Sequence, residues 1–180
     1  PDRVPPVKFL VVGAAQTLDN AKGPYSQVKE WCNPRPETDE ESDLVVPELA
    51  SMTQKFVNTN GEEAIVLKSK ARYIVRADKN IRAKSAARVI FDELREQHND
   101  DGWNAVSQTT KAVWSSQLWG ISNAGDYRSV ALRKQVDKGR KLVDAWNKYI
   151  DDGVDAAEAF ANGEQDGSFG YFEWSAPDKC

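Results

Sequence analysis

The chain has 180 residues with 24 Lys and Arg against 28 Asp and Glu, a formal charge of 24 − 28 = −4, and is 40% hydrophobic and 29% charged. Those proportions describe one ordinary soluble domain with its own core and exclude global disorder and dependence on a disulfide staple. No apolar run approaches the roughly 20 residues of a membrane helix; the longest, Val7 to Ala15, is interrupted by Lys8 and Gly13.

Residues 1 to 46 hold six of the eight prolines and one β-like run, Val7 to Val12, ended by Gly13. They read as an extended arm with a short strand. Gly23-Pro24-Tyr25-Ser26 opens a short helix through Trp31, and Asn33-Pro34-Arg35-Pro36 stops it, because proline disfavours helical geometry in the residue before it. Five carboxylates in seven residues, Glu37 to Asp43, read as a solvated linker, with a docking strip for a basic partner as the other reading. The chain begins at Pro1 without Met, which we attribute to removal of a leader, so an organelle is favoured and a secreted protein is the alternative.

From Pro47 the pattern predicts helices. Pro47 suits a first helical position, Glu48 suits the positive end of the dipole, and Leu49, Met52, Phe56 and Val57 recur at helical spacing up to Asn60-Gly61. Further helices are expected from Glu62 through Ile74, from Ile81 to His98, from Trp103 to Gln117 and, most clearly, from Tyr127 to Ile150. In that last stretch Leu132, Val136, Gly139, Leu142, Val143, Trp146, Tyr149 and Ile150 form one arc opposite Lys134, Asp137, Lys141, Asp144 and Lys148. Asp152-Gly153 then caps a short helix through Phe160, closed by Asn162-Gly163. A weak duplication aligns residues 86 to 106 with 138 to 157, each copy reading helix, Asp-Asp-Gly turn, helix.

Little in the sequence points to catalysis. His98, the lone histidine, sits at a polar helix end, where a dipole contact explains it better than base chemistry. The Asp-Asp-Gly turns lack the alternating oxygen ligands of a calcium loop. Cys32 and Cys180, the only cysteines, fit no zinc spacing; two unpaired thiols and one bridge both stand. Val11-Val12-Gly13-Ala14-Ala15-Gln16 lacks both the further glycines of a dinucleotide fingerprint and the Gly-Lys-Ser/Thr of a phosphate loop. No cofactor, metal or catalytic residue is therefore assigned, and a non-enzyme is expected.

Charge is unevenly spread. Residues 68 to 95 carry nine bases against three acids and residues 128 to 148 seven against two, while residues 151 to 180 total −7. Lys68, Arg72, Arg76, Lys79 and Arg82 fall on one stripe of the expected helix and suit an acidic protein or a headgroup layer; nucleic acid is not expected. The Gly-flanked aromatics Phe169, Tyr171, Phe172 and Trp174, with Trp31, suit anchors on other subunits.

The fold expected is all-α: an irregular bundle of five or six helices, with two stacked hairpins, a short N-terminal strand and extended arms. Its parts are an arm over 1–46, a helical domain over 47–163 and a Gly/aromatic arm over 164–180. The function expected is a non-catalytic structural or linker subunit docking on other protein subunits of a larger assembly, such as an organellar or photosynthetic complex, without a transmembrane segment and peripheral to any membrane. The alternatives are a secreted effector or toxin with a Cys32–Cys180 disulfide, and a helical bundle binding a lipid or small ligand among Trp103, Trp114, Trp119 and Trp146.

Overall fold

Between residues 53 and 120 the apolar runs are short, rich in Val, Ile, Phe and Tyr, and closed by turn signals. In the computed structural model of the chain, which describes residues 9–81, 85–113, 115–153, 155 and 168–174, these runs are strands. The elements are β1 (Leu10–Ala15), α1 (Leu18–Trp31), α2 (Asp39–Leu44), α3 (Pro47–Met52), β2 (Thr53–Val57), β3 (Ala64–Leu67), β4 (Arg72–Ala77), β5 (Arg88–Phe91), α4 (Asp101–Thr110), β6 (Gln117–Gly120) and α5 (Val130–Asp151), with 3-10 turns at Asp78–Asn80 and Leu94–Glu96. Among the described residues the strands form one six-stranded sheet of order β2-β3-β4-β1-β5-β6. β4, β1, β5 and β6 run parallel, and β2-β3-β4 form an antiparallel meander.

The all-α bundle is thereby corrected to a mixed α/β sheet. The physical reason is length: β2 to β6 are four to six residues each, too short for periodicity to separate a buried strand from a helical turn, and β-branched and aromatic side chains favour the pleated surface. The stacked hairpins fall too, since residues 88–91 of one supposed repeat are strand and residues 140–143 of the other are helix.

Strand register assigns the faces. Gly13 pairs with Val75 and Ile90, and Ala14 with Arg76 and Phe91, so Val11, Gly13, Ala15, Tyr73, Val75 and Ile90 share one face. Ala15 and Val75 pack there with Ala21 and Tyr25 of α1, Cys32 and Ile65. Phe91, on the opposite face, meets Trp103 of α4 edge-on at 6.5 Å, and a side chain on Gly120 would press on Trp103 at 3.1 Å. α1 and α4 therefore cover opposite faces of the sheet.

Helix α1 starts earlier than Gly23-Pro24 suggests, because Thr17 caps it: its Oγ1 accepts from the Asn20 N–H at 3.2 Å, with Asp19 in the first turn. Pro24 is carried inside the helix. The acidic run is not a bare linker but the exposed helix α2, capped by Thr38 Oγ1 accepting from Glu41 N–H at 3.1 Å, while the Glu41 carboxylate accepts from Glu37 N–H at 2.8 Å.

Residue contacts divide the chain into two units, 1–131 and 132–180. In the second, α5 carries the amphipathic pattern expected of it, and the ring of Tyr171 lies against Gly139, where any side chain would overlap it. Arg140 grips Glu173 with Nη2 to Oε1 at 2.6 Å and Nε to Oε2 at 3.1 Å. The expected helix through Phe160 and its Asn162-Gly163 stop lie outside the described residues.

Candidate functional site

The sheet changes direction between β1 and β5. From β1 the chain passes through α1 and on to the β4 side; from β5 it passes through α4 to β6, on the opposite face. At such a switch point two connections diverge and leave a crevice at the carboxyl ends of the parallel strands, where open α/β sheets bind their ligands.

The residues arriving there are Gln16 and Thr17 after β1, Asp92 and Glu93 after β5, and Ile121 and Ser122 after β6. Asp92 continues the β5 ladder, its N–H donating to Ala14 O at 2.8 Å, and its Oδ1 accepts from Glu93 N–H at 2.9 Å. Glu93 has left-handed backbone geometry, φ 51°, which a non-glycine residue adopts at a cost of about 1 kcal/mol. Its carboxylate reaches α1 and the turn that follows. Oε2 accepts from Asn20 Nδ2 of α1 at 3.3 Å, and Oε1 meets Arg95 Nη2 at 3.4 Å. Both carboxylates are half-buried. The loop after β6 is stitched to the same turn: Leu94 N–H donates to Ile121 O at 3.2 Å, and Arg95 N–H to Ser122 Oγ at 3.0 Å. The Glu93 carboxylate, oriented by an amide and a guanidinium, thus sits beside the first turn of a fourteen-residue helix, with Asp92 next to it in the chain. Such a pair can hold a divalent cation and take up a proton, and helix amides favour an anion alongside.

This pair is hidden by the helix expected over Ile81–His98, in which Asp92 and Glu93 merely join the solvated face. The signal that marks it is the sequence Val89-Ile90-Phe91-Asp92-Glu93, an apolar run that ends abruptly on two acids.

The residues the sequence singles out lie elsewhere. Lys68 follows β3, Arg72 and Arg76 are on β4, Lys79 is in the 3-10 turn, and Arg82 lies outside the described residues. They form no helical stripe. Trp31 ends α1 and is exposed. Phe169 lies under Lys138 Nζ, 4.3 Å from its centroid, and Tyr171 against Gly139, whereas Phe172 and Trp174 stand 73% and 91% exposed. His98 is in a bend before α4 rather than at a helix end. Cys32 is a free, buried thiol that burial pushes up in pKa despite a hydrogen bond with Thr53; Cys180 lies outside the described residues. Trp103 and the half-exposed Trp119 belong to opposite faces of the sheet, since Trp119 pairs with Ile90. They line no common cavity, and Trp114 is not described.

No protein-family model and no curated protein matches the chain. Among solved structures, the large terminase of a thermophilic bacteriophage in complex with ADP superposes with a TM-score of 0.42 at 14% identity, over 68% of this chain and 27% of that one. A second crystal form of the large terminase from the same phage gives 0.44 at 17%, over 76% and 32%. The chain thus spans about a third or less of their length, and at these values the likeness carries no assignment of function. The expectation of a non-catalytic linker subunit is nevertheless corrected: it takes a helical body as its platform, and that body is a six-stranded mixed sheet with helices. With it go the bundle enclosing a lipid and the description of the chain as a helical scaffold.

Proposed function

We propose that the crevice at the carboxyl ends of β1 and β5 binds a phosphate ligand together with a divalent cation, and that its reaction is hydrolysis of a nucleoside triphosphate or a related phosphoanhydride. What carries the reading is one observation: Asp92 and Glu93 stand side by side at the carboxyl end of a central parallel strand, at the sheet's switch point.

The donor set fits magnesium better than a caged metal. Among the described residues no three His, Cys, Asp or Glu side chains gather to hold an ion, and Mg²⁺ characteristically takes one or two carboxylates, completing its octahedron with water and substrate phosphates. Asp92 would be that carboxylate. When bound, the cation neutralises the charge that develops on the transferring phosphoryl group. Glu93, held toward Asn20 and Arg95, would accept the proton of the attacking water. The first-turn amides of α1 supply a favourable end for the phosphates.

Calorimetric titration of the protein with ATP in the presence and absence of Mg²⁺ tests this. Asp92→Asn should weaken Mg²⁺-dependent binding about tenfold or more. Glu93→Gln should leave binding intact and slow phosphate release by ~10²-fold or more. Binding that is indifferent to Mg²⁺ and to Asp92 refutes it.

A further inference from the structure

Beside the crevice, the sheet has a notch. Gly13 of β1 has no side chain, and the Tyr73 hydroxyl lies 2.7 Å from the point where a Cβ on Gly13 would stand, with two ring carbons at 3.2 and 3.3 Å. Tyr73 is in register with Val11, and Gly13 with Val75. The ring therefore runs forward by one same-face step, across the backbone of β1 and toward the carboxyl ends. Tyr25 of α1 braces it, ring centroids 5.5 Å apart and planes at 51°.

On the far side of β1, Gly13 pairs with Ile90, and the next residue of that chain on the same face is Asp92, still in the ladder through Ala14 O. The hydroxyl thus rests on the strand next to Asp92, with no side chain at Gly13 between them. Burial first, and then the negative charge of Asp92, push the Tyr73 hydroxyl up in pKa.

Resting on the metal–phosphate reading above, we propose that Tyr73 is a positioning residue for Asp92: seated in the notch at Gly13, its hydroxyl reaches the Asp92 carboxylate through one water and fixes which oxygen meets the cation. Partners that orient a ligating carboxylate typically alter metal affinity 10- to 100-fold when removed, and such hydrogen bonds tighten once the ligand is bound. The consequence differs between cations. Mg²⁺ demands near-ideal octahedral geometry, whereas Ca²⁺ tolerates irregular ligands, so loss of orientation falls mainly on Mg²⁺.

The test is calorimetric titration of the whole chain with a non-hydrolysable ATP analogue, in Mg²⁺ and separately in Ca²⁺, for the wild type and for Asp92→Asn, Tyr73→Phe and Gly13→Ala. Tyr73→Phe keeps the ring and its packing on Tyr25, and should weaken binding in Mg²⁺ about tenfold while changing it less than about threefold in Ca²⁺. Gly13→Ala, which displaces the hydroxyl without removing it, should do the same. If Asp92→Asn weakens binding but Tyr73→Phe alters neither cation, or both equally, the positioning role is overturned and the metal reading stands. If Asp92→Asn binds as the wild type does, both are overturned.

Discussion

Tyr25 provides a quantitative probe of the packing between α1 and the sheet. It is 4% exposed, its ring lies on Tyr73, and its hydroxyl has no hydrogen-bond partner among the described residues. Burial, followed by the negative charge of Glu63 and the neighbouring Tyr73 and Cys32, pushes its pKa from 10.0 to about 12. A pKa raised on folding means that the folded state favours the protonated phenol. The stability this contributes is complete below pH 10 and is lost as pH rises through 12. Two pKa units at about 1.4 kcal/mol each make the loss about 3 kcal/mol. Tyr25→Phe removes both the titration and an unpartnered buried hydroxyl. It should therefore be as stable as the wild type at pH 8, or up to about 1 kcal/mol more so, because deleting an unsatisfied buried polar atom is neutral to favourable. Urea unfolding at pH 8, 10, 11 and 12 should show the two proteins diverging only above pH 10, with the variant retaining the stability that the wild type loses. Parallel alkaline loss in both, or a variant more than about 1 kcal/mol weaker at pH 8, refutes the placement of Tyr25 in a dry core.

Gly102, at the start of α4, has no room for a side chain: a Cβ there would stand 2.8 Å from Asp78 Oδ2 and would overlap Gln97 Oε1, and both partners are buried. Gly102→Ala should cost about 1–3 kcal/mol in urea unfolding despite alanine's better helix propensity. Thr17→Ala removes the α1 cap and should cost about 1 kcal/mol by the same assay. Phe91→Ala, at a fully buried position against Trp103, should cost about 3–5 kcal/mol. In the second unit the hydrogen bonds from Arg140, and then that from Tyr171, hold Glu173 down at about 2. A carboxylate depressed on folding contributes above its unfolded value near pH 4.3 and loses that contribution as pH falls through 2. Fluorescence of Trp174 followed from pH 5 to 2 should report a transition that Glu173→Gln lacks.

How far the sequence discloses this fold depends on the length of each pattern. α5 is legible because 22 residues carry a polar and an apolar face through six turns. The strands are not, because Ala64–Leu67 or Arg88–Phe91 offers four residues each, and a buried four-residue run fits one helical turn as well as a strand. Once Ile81–His98 is read as a helix, Asp92 and Glu93 are two more polar residues along it; as a strand end, the same two acids become the centre of the crevice. Gly13 reads as the end of a strand and lies inside it, where its lack of a Cβ admits Tyr73. That pairing joins residues sixty positions apart, and no local pattern records it. The cap at Thr17 is written in the triplet Thr17-Leu18-Asp19, but Gly23-Pro24 is the stronger local signal and draws the helix start to itself.

Everything proposed for the crevice turns on whether Asp92 meets a cation beside a phosphate. The most direct measurement is electron paramagnetic resonance of Mn²⁺ titrated into the protein with a non-hydrolysable ATP analogue, in which bound Mn²⁺ loses the sharp signal of the free ion. Glu93→Gln should retain Mn²⁺ like the wild type, and Asp92→Asn should release it, with affinity lower by about tenfold or more. Equal retention by Asp92→Asn and the wild type would contradict the proposal, and the crevice at the ends of β1 and β5 would then hold no metal-dependent site.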